Sequence, residues 1–460
     1  MSLPPETSAI IMGSVREGQP ISDDAVQTLP ASPSRRSAFA SAMHVRTYRW
    51  WFFSQVLSAS GSMMQGVALS WLVLKLTGSA ILLALTATAT FAPSLAGGAW
   101  AGSLVDRFER RQVLFWTQAA FSGLSATFGA LLAFGEVRVW VVYAFAFAFG
   151  LVNMLDAPAR QIFVLDLVGQ DRAANAISLN EIVINTARVL GPAVGGGLLA
   201  TVGAAACFFV NAFTFLPPLA VVVVLLHRRG WSSTQAARGA TRAGHTREGI
   251  AYVWRKPALR SCVLIAVAGG MLFNMGSTLP LMATRAFHAG PEGYGAMMAA
   301  FGGGALFGAA FAGTGSSWPS GPRVRALVLA AGLEVCAAAF SPWVGMLYIG
   351  LALAGLLSIW FIALANALVQ LRSDPALRGR VMGVWTMALP GMLPITSLLV
   401  GVVASVGGGA LGARLGFGLS GLALTASALV GWRALADHED DEFLEALLGP
   451  SAEPLATTAA

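Results

Sequence analysis

The charged residues of this chain are concentrated in one short run between two long apolar segments. Residues 106–111 carry five charges in six positions, and Gly102, Asp106 and Arg110 are spaced four residues apart. Four-residue spacing places side chains on one face of a helix, where a carboxylate and a guanidinium can each pair with groups on neighbouring helices. The pattern therefore favours ion pairing between helices over bond-making chemistry.

The other reactive residue types give no support for an enzyme active site. A P-loop needs Gly-Lys followed by Ser or Thr, but the two lysines, Lys75 and Lys256, follow Leu and Arg. The five histidines lack the paired spacing of a zinc enzyme, and the three cysteines are too widely spaced to indicate a disulfide framework or a metal site. We therefore expect no catalytic residue, no metal and no cofactor.

The segments that must position these charges have the composition of an integral membrane protein. Of 460 residues, 56% are hydrophobic and only 11% are charged, which is more apolar sequence than one soluble core needs. A bilayer core of about 30 Å needs about 20 apolar residues per helix, and such segments recur from Trp50 to Trp432. We predict an all-α membrane protein with twelve transmembrane helices, of which the ninth, Ala326 to Phe340, is the shortest.

The positions of lysine and arginine predict the orientation. With the amino terminus inside, 24 of the 29 basic residues lie at cytoplasmic ends, four lie outside, and Arg188 lies within a span, in agreement with the positive-inside rule. The basic pI therefore reflects topology, and we do not interpret it as nucleic-acid binding.

The same pattern divides the chain into five segments. Residues 1–44 are polar and Ser/Pro-rich, so we predict a disordered tail there. A long basic loop separates two sets of six helices. The predicted segments are a cytoplasmic tail (1–44), an N-terminal six-helix half (45–226), a cytoplasmic linker loop (227–258), a C-terminal six-helix half (259–433) and a second cytoplasmic tail (434–460).

The charged run resembles the signature loop between helices 2 and 3 of the major facilitator superfamily, G-x-L-x-D-R-x-G-R-[RK], with Glu109 in place of the second glycine. The resemblance implies that Gly102, Asp106 and Arg110 form a conformational latch between the two halves. An ordinary solvated turn with a cluster of basic residues is the alternative.

The latch needs partners elsewhere in the chain. In this interpretation Asp106 caps the start of helix 11 near residues 379–383, and Arg110 pairs with a second acid. Asp156, which is followed by Arg160 at i+4, is the predicted partner. The equivalent turn between helices 8 and 9 has arginines but no aspartate, so the latch would be one-sided.

Helix 5 carries a second motif, Ala187-Arg188-Val-Leu-Gly191-Pro192-Ala-Val-Gly195-Gly196. It resembles the G-x-x-x-G-P-x-x-G-G element of exporters in the superfamily, with Ala187 in place of the first glycine, and this resemblance implies export. Small residues at i and i+4 allow helices to approach closely, and Pro192 removes a backbone donor. Generic helix packing is the alternative interpretation.

Arg188 is unusual because it is a charge near the middle of a span. Such a charge costs at least about 3 kcal/mol on insertion scales and normally faces a cavity or a partner. It therefore needs an acid or a substrate anion. Glu181, two helical turns earlier, is the candidate acid, and a buried pair that only holds helix 5 in place is the alternative to substrate contact.

Further runs on both halves resemble the branch of the superfamily that contains the enterobactin exporter and the macrolide efflux proteins. They include Asn153-Met-Leu-Asp156, Asn175-Ala-Ile-Ser-Leu-Asn180, Phe208-Phe-Val-Asn211, Tyr252-Val-Trp254 and Asn366-Ala-Leu-Val-Gln370. The resemblance covers about residues 45 to 432 and implies the major facilitator fold, with two six-helix halves, in a bacterial cytoplasmic (inner) membrane. One departure is Pro394-Ile-Thr in helix 11, where the branch has Pro-Leu-Gly.

Transporters of this kind bind substrate near the bilayer midplane between repeats. Polar, aromatic and thioether side chains at that depth are the candidate cavity residues as a set, although for each one taken alone a contact between helices is favoured over a ligand contact. They are Gln55, Ser58, Gln65, Asn185, Arg188, Asn274, Met275, Trp360 and Trp385. Proton coupling needs an acid that can titrate, and Asp156 and Glu181 are the candidates by position.

These observations predict a secondary active exporter of amphipathic small molecules, either drugs or a siderophore-like metabolite, that is coupled to protons and works by alternating access. The expected partners are the substrate, the lipid bilayer and the proton, and we expect a monomer. A membrane sensor or scaffold without flux, and an importer of the same fold, are the alternatives.

Overall fold

The structure is a computed structural model that describes residues 41–105, 107–135, 137–227, 244–313, 319–374, 377–388 and 391–435. All regular structure in these ranges is helical, and they contain no strand. Asp106, nearly all of the predicted tail 1–44 and the tail residues 436–460 lie outside them.

Six spans come before the linker. They are α1 (Arg46–Thr77), α2 (Ala80–Val105), α3 (Arg110–Phe134), α4 (Val139–Val168), α5 (Ala173–Thr201) and α6, which consists of α6a (Ala204–Thr214) and α6b (Leu216–Leu226). Short 3-10 turns at Ala42–His44 and Gln170–Arg172 precede α1 and α5. We call this set the first half.

A linker helix (Gly244–Arg255) precedes the remaining spans, which we call the second half. These are α7a (Pro257–Leu272), α7b (Met275–Leu281, extended by a π-helical turn at Met282–Ala286), α8 (Pro291–Gly313), α9 (Gly321–Ala339), α10 (Val344–Arg372), α11a (Arg378–Ala388), α11b (Leu393–Val406) and α12 (Gly409–Val430).

The hydropathy of these helices confirms the all-helical membrane fold. Eight described segments are long and apolar enough to cross a membrane, and the pair Pro257–Leu272 and Met275–Ala286, bent by 42°, makes a ninth. The other three predicted spans coincide with α3, α9 and the broken α11. The helices are therefore consistent with the twelve predicted spans.

Three spans are broken, which the hydropathy pattern did not predict. α6b starts next to Pro217 and Pro218, and Pro394 lies in the first turn of α11b. Proline has no backbone N–H to continue the ladder of the preceding turn. In α7 the break falls at Phe273 and Asn274. Such breaks free backbone and side-chain polar groups inside the bundle, where other helices must satisfy them.

The two halves contact each other through α5 with α8 and through α2 with α11b. Both contacts depend on small residues. A Cβ atom at Gly196 would lie 2.8 Å from the Cα of Gly295, and one at Gly401 would lie 2.7 Å from the Cβ of Ala84. In a membrane, helices gain little from apolar burial and associate by close packing, so these glycines allow the halves to meet.

Contacts between the halves lie toward one end of the bundle. At the end opposite the linker helix, the rings of Trp71 and Tyr294 stack with centroids 6.3 Å apart, and Arg285 donates a hydrogen bond to the carbonyl of Gly78. We call this the sealed end, and we call the other, which carries residues 107–109, 169–172 and the linker helix, the basic end.

Three contacts at the basic end each join residues of one half. The backbone N–H of Ala42 donates to Asn175, and Arg111 donates to the carbonyl of Leu225, all within the first half. The linker helix pairs with the second half through Glu248 and Arg380, 2.6 Å apart. The halves are therefore joined at the sealed end, whereas these three contacts at the basic end each lie within one half.

Substitution of Gly304 by valine should destabilise the protein. Its Cβ would collide with the carbonyl of Ala352 on α10, whereas at the adjacent Gly303 no heavy atom lies within 4 Å. Overpacking of this kind costs about 1–3 kcal/mol. We expect Gly304→Val to lower the thermal unfolding midpoint in detergent and Gly303→Val to leave it near the wild-type value. Equal midpoints for the two variants would contradict the packing described here.

Candidate functional site

The most buried acid of the structure lies on α4. Asp156 is 1% exposed; its Oδ1 accepts hydrogen bonds of 2.8 Å from both Thr117 and Gln118 on α3, and its Oδ2 lies 3.5 Å from Nε of Arg160. Arg160 also donates to Gln55 on α1 at 3.2 Å. The carboxylate therefore joins three helices of the first half, and its charge is balanced within that network.

The predicted pairing of Arg110 with Asp156 is wrong. Arg110 instead contacts Asp166 of α4, with Nη1 at 2.9 Å from Oδ2 and 3.2 Å from Oδ1. The reason is that Asp156 and Arg110 lie at different depths along the helix bundle. Ten residues, about 15 Å of helix, separate Asp156 from Asp166, and antiparallel packing sets the first residue of α3 against the last turns of α4. The second turn of α3, at Thr117, reaches Asp156 instead.

The remaining members of the predicted latch are only partly described. Gly102 lies within α2, and Asp106 is outside the described residues, so the proposed capping of helix 11 by Asp106 stays a prediction. Glu109, which departs from the superfamily pattern, forms an ion pair with Arg111. This pair places Arg111 so that its Nη1 donates to the carbonyl of Leu225 at the end of α6b, at 2.7 Å.

The helix 5 motif packs α5 against both halves. Cβ atoms at Gly191 and Gly195 would meet α1, at 2.5 Å from the Met63 Cβ and 3.1 Å from the Met64 Cα, respectively. Gly196 meets α8, and Pro192 lies within the same stretch. The motif therefore supplies the close contact at which α5 joins the first half to the second.

Arg188, the second residue of this motif, extends toward the second half. Its Nη1 donates to Asn185 at 3.0 Å, and its guanidinium lies 5.4 Å from the ring centroid of Phe273, at the break in α7. Asn185 in turn donates to the carbonyl of Glu181, whose side chain is exposed. No ion pair joins Arg188 to any described carboxylate.

A polar seam runs from the break in α7 through α11b to α2. Asn274 donates to Thr396 at 2.7 Å, and the hydroxyls of Ser277 and Ser397 are hydrogen-bonded at 2.9 Å. Ser397 also lies 3.1 Å from the carbonyl of Ala84 across the interface between halves. Thr396 stands in Pro394-Ile-Thr, where the superfamily branch has glycine, so this departure supplies the acceptor for Asn274.

The other predicted cavity residues differ in their surroundings. Gln65 accepts hydrogen bonds from Ser125 and Asn211 inside the first half, so the structure places it away from the second half. Ser58, Met275 and Trp385 are buried as well. Trp360 stacks on Phe311 at 5.4 Å, and its Nε1 is buried without a partner among the described residues.

A cavity of about 690 Å³ lies at the sealed end, with Trp71, Lys75, Arg285 and Glu292 in its lining. Arg285 reaches from α7b to the carbonyl of Gly78, the left-handed residue that ends α1. Cations stabilise the carbonyl-rich carboxyl end of a helix. This contact therefore holds the end of α1 against the second half.

Sequence reasoning missed Asp166, Thr117, Phe273 and Thr396. Of these, Asp166 could have been predicted from the sequence as the partner of Arg110. It is an acid close to the end of span 4, at the depth where Arg110 begins span 3. The other three carry no charge, and similar residues occur throughout the membrane helices.

The Arg110–Asp166 pair should behave as one unit. Arg110→Gln and Asp166→Asn should each lower the thermal midpoint and transport, and the double variant should be no worse than the poorer single one, because breaking a buried pair leaves one charge uncompensated. We expect a coupling energy of about 1–3 kcal/mol from the double-mutant cycle. Arg107→Gln, at an exposed position three residues away, is the control. Additive losses, or an equal effect of Arg107→Gln, would reject the pair.

Solved structures with a similar fold are transporters. A bacterial homologue of the human lysosomal transporter Spinster, in an inward-facing and occupied conformation, gives a TM-score of 0.62 at 14% identity, over 85% of this chain and 97% of that one. A D-xylose–proton symporter gives 0.64 at 14% identity, over 86% and 98%. At this identity the likeness concerns the fold alone, which is that of the major facilitator superfamily.

Sequence comparison gives relatives of nearly full length. The multidrug efflux pump Tap of Mycobacterium tuberculosis (strain H37Rv) is 30% identical over 372 residues, 77% of this chain and 86% of that protein. The staphyloferrin A transporter of Staphylococcus aureus is 24% identical over 377 residues, 78% of this chain and 90% of that protein. The family described as transmembrane secretion effector matches residues 36–455. The chain therefore belongs to the transmembrane secretion effector family of the major facilitator superfamily.

Proposed function

We propose that this chain is a secondary active exporter of amphipathic small molecules, driven by protons and working by alternating access. The observation that carries the proposal is the one-sided contact between halves. Close glycine contacts join them at the sealed end, whereas the hydrogen bond from Ala42 to Asn175 and the ion pair of Glu248 with Arg380 at the basic end each lie within one half. A carrier that opens its centre to one side at a time requires contacts of this kind.

The orientation follows from charge. We place the basic end in the cytoplasm, since 24 of the 29 basic residues belong there. Both termini, the tails 1–44 and 434–460 and the linker 227–258 are then cytoplasmic, and the helices form the halves 45–226 and 259–433. In this orientation the contacts at the sealed end would close the extracellular side, and we propose that the exporter loads its substrate from the cytoplasmic side.

The substrate class rests on the relatives and on the residues between the halves. The relatives are a multidrug efflux pump and a staphyloferrin A transporter, and we propose that this chain likewise moves drugs or a siderophore-like metabolite. Asn185, Arg188, Phe273 and Trp360 supply hydrogen-bonding, charged and aromatic groups near the middle of α5, α7 and α10. Drugs and siderophore-like metabolites are both within the proposed range.

Proton coupling is assigned to an acid of the first half. Asp156 is the stronger candidate, because protonation of its carboxyl would weaken the attraction for Arg160 and so release Gln55 on α1. Glu181 is the second candidate, since it is exposed on the same helix as Arg188. Glu334 packs beside Gly350 between α9 and α10, away from the interface between halves, and does not enter the proposal.

Efflux measurements with variants of the two acids test this proposal. In everted membrane vesicles of a strain without its own pumps, we expect energised uptake of an amphipathic dye, and a protonophore should abolish it. Asp156→Asn should lose uphill transport while retaining downhill exchange, because a neutral amide cannot exchange a proton. Glu181→Gln is compared separately, and Asp171→Asn, an exposed acid in the turn before α5, is the control.

Each outcome separates the alternatives. Uphill transport that persists in both Asp156→Asn and Glu181→Gln would exclude these acids as the coupling site, and insensitivity of the wild type to the protonophore would exclude proton coupling. Dye movement out of everted vesicles would indicate an importer. No dye movement in either direction, with the protein inserted at normal levels, would favour a sensor or scaffold.

A further inference from the structure

Arg188 lies where α5 meets the second half, with its guanidinium 5.4 Å from the ring centroid of Phe273 on α7. Immediately beyond it toward the sealed end, α5 packs against α8 at Gly196 and Gly295. At its own level, a Cβ at Gly302 of α8 would collide with the Arg188 carbonyl. Toward the basic end, α5 continues through Asn185 to the exposed Glu181. The guanidinium therefore lies at the contact between α5 and the second half, near the middle of the span.

The donors of this guanidinium are mostly unused. Arginine carries five N–H donors, and hydrogen bonding to the described residues engages only Nη1, with Asn185 at 3.0 Å. The other contact is the face of Phe273 at 5.4 Å, which offers no acceptor oxygen. Asn185 is itself fixed by its hydrogen bond to the carbonyl of Glu181 at 2.9 Å. The side chain is thus oriented by its neighbours while most of its hydrogen-bonding capacity remains available.

No described carboxylate forms an ion pair with Arg188, and Glu181 acts on its charge only at a longer range. Glu181 is seven residues earlier on the same helix, about 10 Å along the axis, and forms no ion pair with it. Asp156 is bound to Arg160, and Asp166 is bound to Arg110. A cation placed within a membrane segment normally has a partner or faces a water-filled cavity, so a ligand is the remaining source of negative charge.

We propose that Arg188 binds an anionic group of the substrate, so that the transported class is amphipathic molecules that carry a carboxylate or a similar oxyanion. This inference rests on the proposed function and narrows its substrate. The guanidinium fork binds a carboxylate through two parallel hydrogen bonds. Phe273, with Phe301 packed edge-on against it at 5.9 Å, supplies an apolar wall for the body of the molecule. Asn185 is a positioning residue that holds the fork in place.

A matched pair of dyes tests this assignment. Rhodamine 110 carries a free carboxylate, and rhodamine 123 is its methyl ester, so the two differ at that group alone. Binding of each dye to the purified full-length protein in detergent is measured by fluorescence anisotropy, and uptake into everted vesicles is measured in parallel. We expect the wild type to bind the acid at least about tenfold more tightly than the ester, as for one charge-assisted hydrogen-bonded contact.

Substitutions at Arg188 should change the binding of rhodamine 110, the dye with the free carboxylate, and not that of its methyl ester. Arg188→Gln should weaken binding of rhodamine 110 by about tenfold or more and leave rhodamine 123 unchanged or slightly tighter. Arg188→Lys should retain part of the preference, because it keeps the charge and loses the fork. Arg172→Gln, at an exposed arginine just before α5, removes the same net charge outside the site and should retain the full preference.

Results that contradict the anion site differ from results that contradict the proposed export. Equal binding of the two dyes by the wild type, equal weakening of both by Arg188→Gln, or loss of the preference in Arg172→Gln would each overturn the anion site. If the wild type exports both dyes without preference, the exporter proposal stands and the anion site fails. If it binds the acid preferentially and moves neither dye, the anion site stands and the exporter proposal fails. Binding of neither dye would count against both.

Discussion

The hydrocarbon core of a membrane offers no hydrogen bonds, and this constraint organises the interior of the protein. A polar group inside the bundle must find its partner on another helix or face a cavity. Asp156 satisfies this requirement with three side chains, from α3 and α4. Asn274 and Thr396 satisfy it across the break in α7. Arg188 satisfies it only in part, through the hydrogen bond from its Nη1 to Asn185.

Close backbone contact is the second condition, because the two halves must join without a strong apolar driving force. The glycines of α5 and α8 meet at the sealed end, and the seam between α11b and α2 adds the hydrogen bonds from Ser397 to the Ala84 carbonyl and from Thr88 to the Pro394 carbonyl. These bonds are few and local. In the proposed alternating-access cycle this interface would have to separate and re-form.

Sequence patterns predicted the helices well, since span length and hydropathy are properties of each segment alone. The depth of a residue in one helix relative to a residue in another is not such a property. For this reason the sequence predicted Asp156 as the partner of Arg110, whereas the antiparallel packing of α3 on α4 places Arg110 at Asp166. The rotation of each helix about its own axis could not be predicted from the sequence either. The spans are apolar on nearly all sides, so their periodicity does not show that Gln65 points into the first half, toward Ser125 and Asn211. The break at Asn274 leaves the segment as hydrophobic as an unbroken span.

Alternating access makes opposite demands on the two ends of the molecule, and spin-label distances measure both. In a cysteine-free background, one label pair at Arg172 and Gln370 reports the basic end, and a second at Val202 and Val406 reports the sealed end; all four positions are exposed. Double electron–electron resonance in lipid nanodiscs should give a long distance at the basic end for the empty protein. Addition of an exported dye and a change of pH should populate a state with a shorter distance at the basic end and a longer one at the sealed end. Distances that stay fixed, or that change in the same direction at both ends, would contradict a carrier that opens to one side at a time.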